Sequence, residues 1–382
     1  MINGLSNMTR ANFLMQLYLV ILYIMLIIIN KNSALYSAYE IQMSNKNKKI
    51  YRVMLAFMIL MLITHFYETD YFSYMEIVKN YNFFNISENH GEPIYAYIIY
   101  ALHKNYLLFR LVVWGGALYI TTKIFKLYSI NVYFGTYVLL SMYMSIHFIS
   151  RASLAFAIYF FGISLVFYGL DKNIRRLIIL GVLILISSYF FHRSAVLLII
   201  ITPIFLVPMD RNKLFGLLFI TPIIIYAIRF SFMQILIQQS IHNDEIMHKM
   251  SAFATTTGNK ANFMGIVRYF FEWGILYFPF AVIAIAFYKN MSYIKKHRKM
   301  YLNLFKIMLM IIIIATTFGL MKFDSIWLFK RTLFMATIPM VILLSGLYKD
   351  HIIGKNLFRF IINIATGYNI FVYMYSAYVT LK

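Results

Sequence analysis

No cysteine occurs in the chain, so disulfides, thiolate nucleophiles and cysteine-held metals are excluded. Acidic residues are nearly as scarce, 13 Asp and Glu against 35 Lys and Arg, and only 13% of all residues are charged. The phosphate loop GxxxxGK[ST], the zinc helix HExxH and the nucleophile elbow GxSxG are all missing. Internal repeats, low-complexity segments and an appended soluble domain are missing too. His65, His90, His103, His242 and His248 show no spacing that suits a metal, so no metal and no cofactor is expected.

What the chain has in abundance is apolar surface. Of its 382 residues 62% are hydrophobic, and the mean hydropathy is +0.73. Apolar runs long enough to cross a hydrocarbon core about 30 Å thick recur along the whole length. The first, Phe13 to Ile29, is too long for a signal peptide, lacks a small-residue cleavage site and leads into a basic loop, so it reads as a span. The runs lack the alternation of a membrane barrel, and lipid-facing backbone must satisfy its own hydrogen bonds. The predicted class is all-α, a polytopic membrane helix bundle with about twelve transmembrane helices. They fall near 13–30, 53–66, 106–122, 130–149, 152–170, 175–190, 194–209, 214–230, 264–287, 302–320, 332–348 and 357–379. Together they form a single integral membrane domain over 1–382.

The formal net charge of +22 would suggest nucleic acid in a soluble protein, but here its distribution points elsewhere. With the amino terminus outside, the loops on the inner side, with Lys306 and Arg359, hold 21 of the Lys and Arg against four acids. NKNKK at 45–49 and KKHRK at 295–299 are the densest of them. That bias satisfies the positive-inside rule in one register, and the basic loops read as topology signals and anionic-lipid contacts. The same register leaves two long outer loops, 67–105 and 231–263, both less apolar. Ile94 to His103, apolar and aromatic but short, is predicted to form an interfacial or re-entrant helix.

Asp70, Glu92, Arg151, His192, Arg193, Arg268, Glu272, Asp324 and Arg331 then fall at or near the outer ends of spans. Each has an ordinary explanation. Arg151 and Arg331 are placed as snorkelling anchors would be, His192 and Arg193 could cap a turn between helices, Asp70 could be a loop acid, and the loop tyrosines could form an aromatic belt. Jointly they suggest more. Several arginines on the face that should be poor in them suit a phosphate or pyrophosphate, because guanidinium keeps its charge and donates in pairs. Carboxylates and a histidine nearby could serve acid–base chemistry.

ETDYFSY at 68–74, GEPIYAY at 91–97, SRASLAFAI at 150–158, FFHRSAVL at 190–197 and FKRTLF at 329–334 resemble, in order, the motifs of the EpsG family of bacterial exopolysaccharide proteins. That family is related in role to the Wzy polymerases of O-antigen and capsule. The resemblance runs from about residue 51 to 348. Departures are Glu68 where the family has glycine, Ala152 where it has glutamine, and Thr64-His65-Phe66 where an arginine usually stands.

The resemblance implies polymerisation of undecaprenyl-pyrophosphate-linked oligosaccharide repeats on the outer face of the bacterial cytoplasmic membrane. Arg151 and Arg331, assisted by Arg193 or Arg268, would hold the pyrophosphate. His192 or Asp70 would take the proton of the acceptor hydroxyl, and Glu92 with the loop tyrosines would position sugars. The outer loop 231–263 could close over the chains. A chain-length regulator is a partner this leaves open, and nucleic acid is not expected. Two alternatives remain. A lipid-linked oligosaccharide flippase would favour charges at the midplane and repeated halves. A membrane acyltransferase would want a histidine base on an acyl-donor route.

Overall fold

A computed structural model of the protein describes residues 75, 78–80, 93–147, 152–220, 223–224, 263–320 and 332–381. Every regular element among them is helical. In chain order they are α1 (Pro93–Ala101), α2 (Tyr106–Leu127), α3 (Val132–His147), α4 (Ala152–Lys172), α5 (Arg175–Phe191), α6 (Ala195–Ile201), α7 (Arg211–Phe215), α8 (Phe263–His297), α9 (Lys299–Leu320), α10 (Thr337–Lys349) and α11 (Lys355–Leu381). The expected spans 13–30 and 53–66, and most of 214–230 and of the outer loops, lie outside the described residues. Four helical stretches are long and apolar enough to cross a membrane, Tyr106–Leu127, Ala152–Lys172, Lys299–Thr317 and Thr332–Lys349.

The described residues form two compact units, one running to Ile200 and resuming at Val341, the other between Ile201 and Met340. In the first unit α4 is the core helix, buried along most of its length. Against it lies α5, and two glycines let the backbones touch. A Cβ on Gly162 would meet the Leu185 amide nitrogen at 2.6 Å, and one on Gly181 would meet the Gly162 carbonyl oxygen at 2.6 Å. Such small-residue contacts pack helices tightly where there is no hydrophobic drive between them. The opposite face of α5 turns outward with Ile179, Leu183, Ile186 and Phe190, a surface fit for hydrocarbon.

Helix α2 runs parallel to α4, Gly116 lying beside Leu154 and the Tyr128 hydroxyl, just past the end of α2, 3.5 Å from that of Ser164 midway along α4. Its second turn, Leu111–Gly115, widens into a π-helix. Helix α3 departs from helical geometry at Tyr143 (φ −130°, ψ 16°). Asn369 of α11, fully buried, repairs the break, its amide nitrogen donating to the Ser141 and Met142 carbonyls at 2.7 and 3.3 Å and to Ala365 of its own helix at 3.0 Å. Four helices, α1, α2, α4 and α10, end in left-handed residues that are not glycine: His103 and Lys104, Ser129, Asn173 and His351. Backbone N–H groups just beyond each helix return to its last turn, as in Ile130 to Phe125 at 2.8 Å and Ile174 to Gly169 at 2.8 Å. That satisfies carbonyls a helix end would otherwise orphan.

In the second unit α8 and α9 form an antiparallel hairpin. Phe287 stacks on Phe305 with ring centroids 4.1 Å apart, and the Tyr277 and Thr316 hydroxyls meet at 2.7 Å. The buried Lys306 on α9 donates from Nζ to the Phe205 carbonyl at 2.8 Å. Two expected boundaries differ here. Helix α8 continues about ten residues past the expected end at 287, bent at Asn290, because Lys295, Lys296 and His297 suit the negative end of a helix dipole. The expected span 194–209 is instead α6 followed by a 3-10 turn over Thr202–Leu206, because Pro203 cannot donate its share of the ladder.

Candidate functional site

The turn between α5 and α6 carries His192, Arg193 and Ser194. His192 ends α5 in an extended conformation (φ −158°, ψ 126°), its N–H still reaching the Ser188 carbonyl at 3.2 Å. Its own carbonyl accepts from the Ala195 N–H at 2.9 Å, and Ser194's carbonyl accepts from Leu197 at 3.2 Å, so the turn is tied into both helices. The imidazole is half-buried and Arg193 is exposed. Nδ1 of His192 receives the Ser194 backbone N–H at 3.1 Å and lies 2.6 Å from the Ser194 hydroxyl oxygen.

Aromatic residues from three other helices close around this turn. Phe156 of α4 faces the His192 ring at 6.5 Å, and Tyr95 of α1 packs edge-on against both Phe191, at 6.3 Å, and Phe109 of α2, at 5.8 Å. One end of the first unit thus gathers α1, the starts of α2 and α4, and the end of α5. Helix α1 buries Tyr95, Ala96 and Ile99 here and turns Tyr97 and Tyr100 outward, 60% and 66% exposed. Its existence and length follow the expectation for Ile94 to His103.

The opposite end of the same unit collects cations. Lys126, Lys172, Arg175, Arg176, Lys349 and Lys355 stand at helix ends there, and Lys349 crosses to the Ser129 carbonyl at 2.5 Å. The second unit does likewise on its own hairpin, where Arg211 donates to the Lys289 carbonyl at 3.1 Å beside Lys295, Lys296 and Lys299.

Of the residues singled out from sequence, the structure describes the side chains of His192 and Arg193, neighbours in the chain that share this turn. Asp70, Glu92, Arg151, Asp324 and Arg331 lie outside the described residues, although Arg151 directly precedes the start of α4 in the chain. Arg268 and Glu272 fall within α8, in the second unit, and only their backbone is described. The sequence reading missed Arg110. This arginine, 2% exposed in the first turn and a half of α2, sets its guanidinium carbon 4.2 Å from the centre of the Trp114 ring and 5.7 Å from that of Tyr106. Its signal was an arginine four residues before a tryptophan inside an apolar run, the spacing that stacks a cation on an aromatic face.

The half-buried imidazole with an exposed arginine beside it has the chemistry to meet an anion, and the outward-turned Tyr97 and Tyr100 of α1 have ring faces on which a sugar could stack. No curated protein and no solved structure matches the chain. A model of the EpsG family matches residues 49–382, a stretch that includes the turn, its aromatic surround and every motif from ETDY to FKR, and the chain therefore belongs to the EpsG family.

Proposed function

We propose that the protein polymerises lipid-linked oligosaccharide repeats, carried on undecaprenyl pyrophosphate, into surface or capsular polysaccharide at the outer face of the bacterial cytoplasmic membrane, as a multi-pass bundle of about twelve helices. Family membership points to exopolysaccharide polymerase-type function, and the match over residues 49–382 is the observation that carries the reading. An acceptor sugar hydroxyl attacks the anomeric carbon of the donor chain. The bond from that carbon to the phosphate oxygen breaks, and the electron pair leaves with the pyrophosphate.

Arg151 and Arg331, with Arg193 or Arg268, hold the pyrophosphate as its charge grows; preorganised donors of this kind contribute several kcal/mol, of order 3 for each removed group. Asp70 or His192 takes the hydroxyl proton, and Glu92 and the loop tyrosines orient the sugars. The outer end of the first unit suits this work, because it carries His192 and Arg193 while the cations that hold a cytoplasmic face gather opposite.

The test is chemical analysis of a strain lacking the protein. Single lipid-linked repeats should accumulate on the outer leaflet while surface polymer is lost, and both should revert when the chain is restored. Accumulation on the inner leaflet would instead identify a flippase, and unchanged polymer would refute both.

A further inference from the structure

We propose that the corner where α7 meets α8, within the second unit, binds the headgroup of an anionic phospholipid, with Arg211 as the group that meets its phosphate. The site does not depend on the polymerase reading.

Positive charge is concentrated at this corner. Arg211 and Lys213 on α7, Lys289, Lys295 and Lys296 on α8 and Lys299 at the start of α9 are all exposed, and Asp210 is the one acid among the described residues of 201–220 and 285–301. That carboxylate is engaged, because its Oδ1 accepts the Lys213 backbone N–H at 2.8 Å as the cap of α7.

Arg211 differs from the lysines in being held in place. Its Nη2 donates to the Lys289 carbonyl at 3.1 Å, and its guanidinium carbon lies 5.9 Å from the centre of the Tyr288 ring. The carbonyl can take an outside donor because α8 bends at the next residue, Asn290 (φ −111°, ψ 20°), which donates from Nδ2 to the Ala286 carbonyl at 3.0 Å. Buried Met209 and Leu214 anchor the short helix from beneath, and Lys213 Nζ ties it to the Pro208 carbonyl at 3.2 Å. What is fixed in this way is a planar, permanently charged group suited to two oxygens of one phosphate. A diffuse attraction between basic loops and a membrane surface would need no such placement.

The surroundings of the cations identify the source of the phosphate. Leu206, Val207 and Phe215, on either side of Arg211 in the chain, and Ile285, one turn before Lys289, are large apolar side chains left exposed. Tyr288 and Tyr293 stand among the lysines, the position tyrosines take where headgroups meet acyl chains. Free phosphate or an acidic protein surface would answer the cations and leave the apolar residues in water. A phospholipid answers both, with its phosphate at Arg211 and its acyl chains along Leu206, Phe215 and Ile285. The cations also assign this end of the α8–α9 hairpin to the cytoplasmic leaflet, whose anionic lipids attract basic segments.

The test uses the full-length protein, stripped of lipid in a neutral detergent and titrated with phosphatidylglycerol or phosphatidylcholine, with bound lipid counted by native mass spectrometry. Phosphatidylglycerol should bind saturably and raise the thermal unfolding midpoint, and phosphatidylcholine should do neither. Replacing Lys295 and Lys296 together by glutamine should weaken binding about fivefold for each charge removed. Arg211→Lys keeps the charge yet should weaken binding about fivefold or more, because an ammonium cannot span two phosphate oxygens.

Native affinity in Arg211→Lys would mean a diffuse basic surface with no site at Arg211. Equal binding of the two lipids would mean an apolar contact alone, displacement of the lipid by inorganic phosphate would mean a free-anion site, and binding of neither lipid would give the surface to an acidic protein. Each of these results overturns the proposal. So does native affinity in the double lysine variant, whose changes lie at exposed positions in the last turn of α8 and decide the matter even if Arg211→Lys fails to fold.

Discussion

Asn369 and Arg110 show how single polar side chains survive inside apolar helices. Asn369 sits where α3 has lost its ladder at Tyr143, so its amide replaces backbone donors that the kink removed. Asn369→Leu should leave the Ser141 and Met142 carbonyls without that donor and cost about 1–3 kcal/mol, read as a lower thermal unfolding midpoint in detergent. Arg110 is held by ring faces, at 4.2 Å from Trp114, and a cation–π contact shielded from water contributes about 2 kcal/mol. The reactive candidates behave differently because their loss should spare the fold. Arg151→Ala and Arg331→Ala are each expected to abolish polymer with the amount of protein in the membrane unchanged; full-length polymer from both would remove them from the site. At this scale the sequence revealed which polar residues were out of place, His192 and Arg193 among them. Asn369 was invisible, because its role depends on a break in a helix more than 200 residues earlier.

Helices were legible from their apolar runs, and the short α1 and the long α4 fall where those runs predicted. What the runs could not convey was how closely two helices approach. The α4–α5 contact depends on Gly162 and Gly181, whose missing side chains leave room for a backbone nitrogen and a carbonyl oxygen. Gly162→Leu should therefore force the hairpin apart and cost at least about 3 kcal/mol, since backbone on both sides cannot yield. Gly367→Ala on α11, where a new Cβ meets nothing within 4 Å, should be neutral or stabilise by up to about 1 kcal/mol through helix propensity. Thermal unfolding of the two variants side by side checks the contrast; equal midpoints would mean that the glycine contact is not what holds the hairpin. The hairpin sets the site, because it fixes the end of α5 beside Phe156 and hence the place of His192.

Among the described residues of each unit, cations gather toward one end. In the first unit Lys126, Lys172, Arg175, Arg176, Lys349 and Lys355 share the end away from His192, while Lys104, Arg110 and Arg193 stand at the His192 end, so the bias is one of number, in keeping with the basic loops counted along the chain. The chain contains no cysteine, so single cysteines report topology without background. Arg193→Cys should react with a membrane-impermeant thiol reagent applied to intact cells, and Lys172→Cys, at the far end of the same hairpin, should react only after the membrane is opened. The reverse pattern would place the His192 turn in the cytoplasm and remove the proposed polymerase site from the face where it must work.

By itself the sequence determined the membrane character, the helical class, the face on which cations collect and the motifs that mark the EpsG family. All of these depend on composition, on runs of apolar residues and on residue order, which folding does not alter. Only the tertiary structure decided that Arg110 lies buried on a tryptophan, that two glycines bring α4 and α5 into backbone contact, and that Ser194 occupies Nδ1 of His192. Each of those depends on the direction a side chain or an N–H takes once helices have packed, and direction is a property of three dimensions that spacing along a chain does not carry.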